Sequence, residues 1–239
     1  MRASSRLVAG LIAAALTCGQ ATAQARDPVN PTCPANPNWS NNPSMTFTHE
    51  VINGIRVLKA EGRIDQQTPS RLEAALAEYP DAIDEIWLRS PGGDARAGTQ
   101  AGFIIRESTI PTRIPAGWAC FSACNFMFMG GAAREVEPGG LFMVHMFTHL
   151  SNGSAVRQEI ARGGEQSVGV VGEIEQASAL LATEDNDFLI RMGISRNLLT
   201  DVMYQVRAVP AGGNSETRRC LTAQEIHTYN VARGINFDG

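Results

Sequence analysis

Ser122 stands in the run Gly117-Trp-Ala-Cys-Phe-Ser-Ala-Cys-Asn125, and His145 follows 23 residues later inside Gly140-Leu-Phe-Met-Val-His-Met-Phe147. Upstream, Ser90-Pro-Gly-Gly-Asp94 closes an apolar run that reads as a strand. A serine hydroxyl attacks a carbonyl well only when a base accepts its proton and donors hold the oxyanion that forms. His145 is the candidate base, and the amides of Gly93 and Ala123 are the candidate donors. The glycine pair lets the backbone approach a substrate closely. A serine where a strand turns into a helix exposes its side chain and sets the next amide at a helix N-terminus. Taken singly, each feature has a plainer reading: Ser122 as a helix N-cap, Ser90-Pro-Gly-Gly as an ordinary turn, His145 as a satisfied core histidine. Their order and spacing in one chain point to nucleophilic chemistry.

Those residues need a scaffold, and the pattern around them alternates strand and helix signals. Val51–Ile64 reads as one or two strands with a hairpin turn at Asn53-Gly54. Pro69–Tyr79 carries Leu72, Ala75, Leu76 and Tyr79 on one helical face, with Thr68 placed to cap it. Ile83–Leu88 is a short strand, Ala95–Glu107 a helix, Thr112–Pro115 a strand, Ser122–Met129 a buried helix ended by Gly130-Gly131, and Leu141–Phe147 a strand. Such alternation implies right-handed crossover units and an α/β fold with a mainly parallel sheet. Beyond Phe147, Ser151–Gly172 is rich in glycine and serine and reads as a loop or lid, while Glu173–Met192 reads as a long helix. A short helix should follow Ser195 and Asn197 through Met203, then a loop over Val209–Glu216. Thr222 with Glu225 three residues on gives a capping box for a last helix.

Residues 1–23 read as a secretory signal peptide: Arg2 and Arg6, the apolar stretch Leu7–Leu16, then Ala21-Thr-Ala23 as the cleavage site. A lipoprotein reading through Cys18 lacks the usual small residue before the cysteine. Export to the periplasm or beyond is therefore expected. Residues 24–44 form an arm rich in proline and asparagine, expected to be extended rather than packed, and 45–239 the domain. Removal of the two leader arginines shifts the formal charge from −4 to −6, which carries no nucleic-acid footprint. Four cysteines remain after the leader, Cys33, Cys120, Cys124 and Cys220. An even number in an exported chain favours disulfides, and three pairings are open.

Ser90-Pro-Gly-Gly-x-x-x-x-Gly98, Ser122 opening an apolar helix closed by Gly130-Gly131 and Arg134, and Val144-His145 together resemble the Clp protease proteolytic subunit. The Cys120-x-Ser-Ala-Cys124 signature is similar to exported, Clp-like members. The resemblance spans about Ile55–Phe147, and more loosely Glu173–Gly234. It implies a Clp-like, crotonase-type fold of stacked ββα units. It implies Ser122 as nucleophile, His145 as base, and Gly93 with Ala123 as oxyanion donors. The family's third residue, an aspartate near the start of the short helix after the long one, matches Asp201 with a one-residue shift; Asp185 and Asp187 on the long helix are alternatives. The implied activity is that of a serine hydrolase, a peptidase acting on peptide or protein substrates, with no cofactor. The family often assembles into rings, so a homo-oligomer is possible, although no ring contact is legible as a motif. An ATP-driven unfoldase partner is not expected where ATP is lacking.

Other chemistries fit less well. Lys59, the sole lysine, is the one candidate for a serine–lysine pair, and it lies far upstream of Ser122. A zinc site from Cys120, Cys124, His145 and His149 fails if the strand runs on to His149, since the two histidines would then lie roughly 13 Å apart. Gly93–Thr99 lacks the lysine of a phosphate-binding loop. A crotonase-type acyl-CoA enzyme is disfavoured by export. The rival of a different class is a non-catalytic exported binding or scaffold domain that keeps the fold and part of the site.

Overall fold

The structure, a computed structural model, describes residues 25–80, 82–146, 158, 160–206 and 217–232. The expected leader over 1–23, His149 and the expected loop over 209–216 lie outside those residues. Thr46–Ile52 (β1) and Ile55–Glu61 (β2) form an antiparallel hairpin. Its two turn residues, Asn53 and Gly54, have φ of +51° and +83°, the left-handed pair that a two-residue hairpin turn requires. Thr68–Glu78 (α1) follows. Its N-cap is Gln67 rather than Thr68, and Pro69 falls at the second helical position, within the first turn where its missing N–H costs no intrahelical bond. The Thr68 hydroxyl instead accepts from the Asp65 amide at 2.9 Å.

Glu85–Arg89 (β3), Ala95–Ser108 (α2), Thr112–Ile114 (β4), Ala119–Phe121 (β5), Cys124–Met129 (α3), Arg134–Val136 (β6) and Leu141–Val144 (β7) complete the central part. One sheet has the order β1-β2-β3-β4-β6, parallel at every step after the hairpin. A second joins β5, β7 and Arg219–Cys220 (β8), with β5 and β7 parallel and β8 antiparallel. The mainly parallel α/β class expected from the alternation is thus the class observed. The last helix, Ala223–Thr228 (α5), carries the anticipated capping box between Thr222 and Glu225.

Gly164–Arg191 is a single helix (α4) of 28 residues. It takes in the second half of the segment expected to be a loop. Gly169 and Gly172 each cost a helix interior about 1 kcal/mol, yet one helix runs across them into a segment from Glu173 rich in Ala, Leu, Glu and Gln. Only its last turns are buried: Phe188 packs edge-on against Phe103 of α2 and Phe126 of α3, with centroids 5.1 and 5.2 Å away. After α4 the chain makes a π-helical turn at Leu198–Val202 and a 3-10 turn at Met203–Gln205.

Helices α2 and α3 cross so closely that a Cβ on Gly130 would lie 2.1 Å from the Gly102 carbonyl oxygen. Buried Arg134 joins three regions at that end. Its guanidinium donates to the carbonyls of Met129, Gly131, Met192, Asn230 and Val231. A buried cation is tolerable when its donors are met in this way.

The arm before β1 has no long strand or helix, yet it is packed. Cys33 is fully buried and bonded to Cys220. Arg218 donates to Asp27 at 2.6 Å, and its amide donates to the Asn30 side chain at 2.7 Å. The Asp27 carboxyl feels an upward push from burial, but bonds from Asn30 and Val29 and the Arg218 charge together hold it below the ordinary range. Polar side chains thus substitute for the apolar content that the arm lacks.

Candidate active site

Ser122 lies between β5 and α3, as the strand-to-helix reading requires. Its backbone has φ of +59°, a left-handed conformation that costs a non-glycine residue about 1–2 kcal/mol. Several contacts hold it there. The Cys120–Cys124 disulfide spans the turn, with Cα atoms 5.4 Å apart. Ser90, at the end of β3, bridges to Cys120, its amide donating to Ala119 and its carbonyl accepting from Phe121, both at 3.0 Å. Behind the turn, Gly92 and Gly98 give it room. A Cβ on Gly92 would lie 2.7 Å from the Ser122 Cβ and 3.0 Å from the Ala123 nitrogen, and one on Gly98 would lie 2.6 Å from the Ala123 carbonyl oxygen. Gly93 has φ of +150°, and a Cβ there would collide with the Ile64 carbonyl.

His145 sits just past the end of β7, not in the middle of a strand. The strand stops at Val144 because its neighbours stop: β5 ends at Phe121, and β8 pairs only with Met143 and Val144. The consequence is functional, since the imidazole leaves the sheet and turns toward the serine. His145 Nε2 and Ser122 Oγ are 2.7 Å apart, a hydrogen bond, and the ring packs against Phe121 with centroids 4.8 Å apart. Asn125 fixes the two segments to each other, its Nδ2 donating to the Met143 carbonyl at 2.7 Å.

Of the candidate oxyanion donors, Ala123 follows Ser122 and lines the cleft, while Gly93 follows Gly92, whose backbone packs against the serine turn. Ile64 donates to Gly92 and accepts from Asp94, so the N–H of Gly93 between them is directed away from Ile64. With no room for a Cβ on Gly92, its backbone lies directly against the Ala123 amide.

Asp201 is not brought to the pair. It is exposed on the π-helical turn, where its Oδ1 accepts from Thr200 at 2.9 Å. Asp187 is exposed on α4. Asp185 is the carboxyl that lines the narrow cleft beside Ser122 and His145, a space of about 40 Å³ whose other walls include Asn125, Phe126, Leu181 and Met203. Burial pushes its pKa up to about 7, and the nearby Glu184 charge adds to the rise. Lys59 is engaged on the hairpin by Glu50 at 2.5 Å and Glu61 at 3.7 Å and does not line the cleft. Cys120 and Cys124 are consumed by their disulfide, so neither offers a thiolate to a metal. The fourth ligand once considered, His149, is outside the described residues. Sequence reasoning passed over Asn125. Its signal was there, as the only polar residue in the apolar helix Cys124–Met129.

Compared by sequence, the chain matches no family model and no curated protein. By structure it is similar to ClpP1 from Listeria monocytogenes, at 14% identity and a TM-score of 0.47, over 74% of this chain and 88% of that one. It is also similar to a mutant of the 1510-N membrane-bound stomatin-specific protease, at 16% identity and a TM-score of 0.46, over 74% of this chain and 75% of that one. A methylmalonyl CoA decarboxylase is similar over 38% of this chain and 44% of that one, at 16% identity and a TM-score of 0.31.

Proposed function

We propose that the protein is an exported serine hydrolase that cleaves peptide bonds. The observation that carries this reading is the 2.7 Å hydrogen bond between Ser122 and His145 on a strained strand-to-helix turn. Ser122 Oγ attacks the substrate carbonyl carbon and its proton passes to His145 Nε2. The new C–O bond forms as the carbonyl π pair moves to oxygen, and the amides of Gly93 and Ala123 receive that oxyanion. Collapse breaks the C–N bond, and the departing amine takes the proton from His145. Water then repeats the sequence on the acyl-enzyme and frees Ser122. Preorganisation supports the assignment: a serine held in a left-handed conformation by a disulfide, with two glycines packed against its turn, loses little entropy on reaching the reactive geometry.

Export rests on the leader motif in residues 1–23, and the two disulfides support an oxidising compartment. No cofactor enters the mechanism. The test is covalent labelling of the purified protein with a fluorophosphonate, beside Ser122→Ala and His145→Ala. Labelling of the wild type that both substitutions remove is the expected result. A folded wild type that takes no label would favour the binding or scaffold reading, and label that survives Ser122→Ala would displace the nucleophile.

A further inference from the structure

The cleft beside Ser122 is walled by two side chains, Asn125 and Asp185, whose acceptors have nothing to accept from among the described residues. Asn125 is 3% exposed, and its Oδ1 is buried without a partner. The amide cannot be turned round to relieve this, because Nδ2 is committed to the Met143 carbonyl and an oxygen there would face another oxygen. An orphaned buried acceptor costs about 1–3 kcal/mol, a cost that a donor from a ligand would remove. Asp185 is the second of these side chains, half-buried on the cleft wall with no cation beside it among the described residues. Between them the walls are apolar, from Ala95, Phe126, Leu181 and Met203, and the space is narrow. An adjoining groove along α2 and α4 shares Ala95 and Leu181 and adds the carboxylates of Asp94 and Glu184 against the single cation of Arg96.

A slender apolar passage lined with acceptors fits an unbranched aliphatic stem tipped with a cation. We infer that this cleft is the side-chain pocket for the residue on the acyl side of the scissile bond, and that it selects lysine through Asn125 Oδ1 and the Asp185 carboxylate. The inference rests on the serine-hydrolase reading and names its substrate class. The stem packs on Phe126, Leu181 and Met203 while the ammonium donates to the two oxygens. The raised pKa of Asp185, with burial as its main cause, agrees with a carboxyl that lacks its counter-charge when the pocket is empty. The ionisable groups around it are Glu184 on its own helix, Tyr204 from the following turn and His145 across the cleft.

The experiment compares two phosphonate inhibitors that differ only in carrying a lysine or a norleucine side chain, with the plain fluorophosphonate as reference. Expected is inactivation at least about tenfold faster with lysine at pH 8, a ratio that falls toward one in Asp185→Asn. In the wild type the ratio should also fall as pH drops through about 7 and Asp185 is protonated. That fall with pH should be absent in Asp185→Asn, which separates it from any change of charge on His145. Labelling by the fluorophosphonate with a lysine-to-norleucine ratio at or below one, at every pH, overturns the lysine pocket and leaves the hydrolase standing. A ratio above tenfold that Asp185→Asn leaves unchanged overturns the role of Asp185. Absence of all labelling overturns the hydrolase reading itself, and the pocket with it.

Discussion

The turn that carries Ser122 and the helix that carries Asp185 line one cleft but are built in opposite ways. Around Ser122, Ala119, Cys120, Phe121, Ala123 and Cys124 are all buried, a disulfide spans the turn, and both sheets meet there. On α4, by contrast, no residue whose burial is described is fully buried before Phe188, and Val168, Val171 and Leu180 are exposed. One wall is over-determined by contacts; the other is a long helix anchored at its C-terminal end. Elements with few buried apolar contacts open locally at low free energy, whereas a densely packed turn opens only with the core. The proposed nucleophile and base therefore sit where geometry must not drift. The wall proposed to meet the substrate side chain sits where the structure can adjust.

The sharpest test of this division is Ser122→Ala. Turnover should fall by at least about a thousandfold while the urea midpoint stays close to wild type. A large loss of stability would show that the serine is a structural keystone of the turn. Next comes Gly98→Ala, which pushes a methyl group into the Ala123 carbonyl. Overpacking there should cost about 1–3 kcal/mol in urea unfolding, whereas Gly172→Ala on α4, with open space around it, should gain up to about 1 kcal/mol. Equal effects at the two positions would erase the contrast.

Asp185 gives a pH test. Its folded pKa of about 7 lies above the ordinary 3.8, so the folded state binds more protons between those values and loses stability as pH rises through that window. Asp185→Asn removes this dependence. The variant's melting temperature should gain on wild type between pH 4 and pH 7 and hold that gain at pH 8; a constant difference at all pH values would deny the burial of the carboxyl. The smallest effect is expected from Asp201→Asn. Because Asp201 is exposed and bonded to Thr200, kcat/KM should stay within about twofold of wild type. A tenfold loss would place the π-helical turn in the site after all.

Much of this arrangement was legible in the residues because it is local. Asn53-Gly54 announces its hairpin, Thr222 and Glu225 their capping box, and Ser90-Pro-Gly-Gly the end of β3. The Ser122–His145 pairing was also legible, since a candidate nucleophile just after one strand and a candidate base just after its parallel neighbour stand at a spacing that one crossover spans. What resisted reading depends on distant partners. The end of β7 at Val144 is set by where β5 and β8 stop, not by its own apolar run, which continues to Phe147. Which aspartate reaches the cleft depends on how α4 lies over α2 and α3, and nothing local distinguishes Asp185 from Asp187 or Asp201. The extent of α4 was hidden by its glycines. The cysteine pairing was hidden because Cys33 and Cys220 are 187 residues apart in sequence.

That distant bond has a topological consequence. Every backbone position between Cys33 and Cys220 lies on a covalently closed ring, and the ring includes both walls of the cleft and the stretch that joins them. One cut anywhere on it yields two termini but not two molecules. Ser122 and Asp185, on opposite sides of a break after His145, would still belong to one particle. Integrity over that stretch is a property of the ring, and a single cut within it divides the protein only when a reductant opens the disulfide as well.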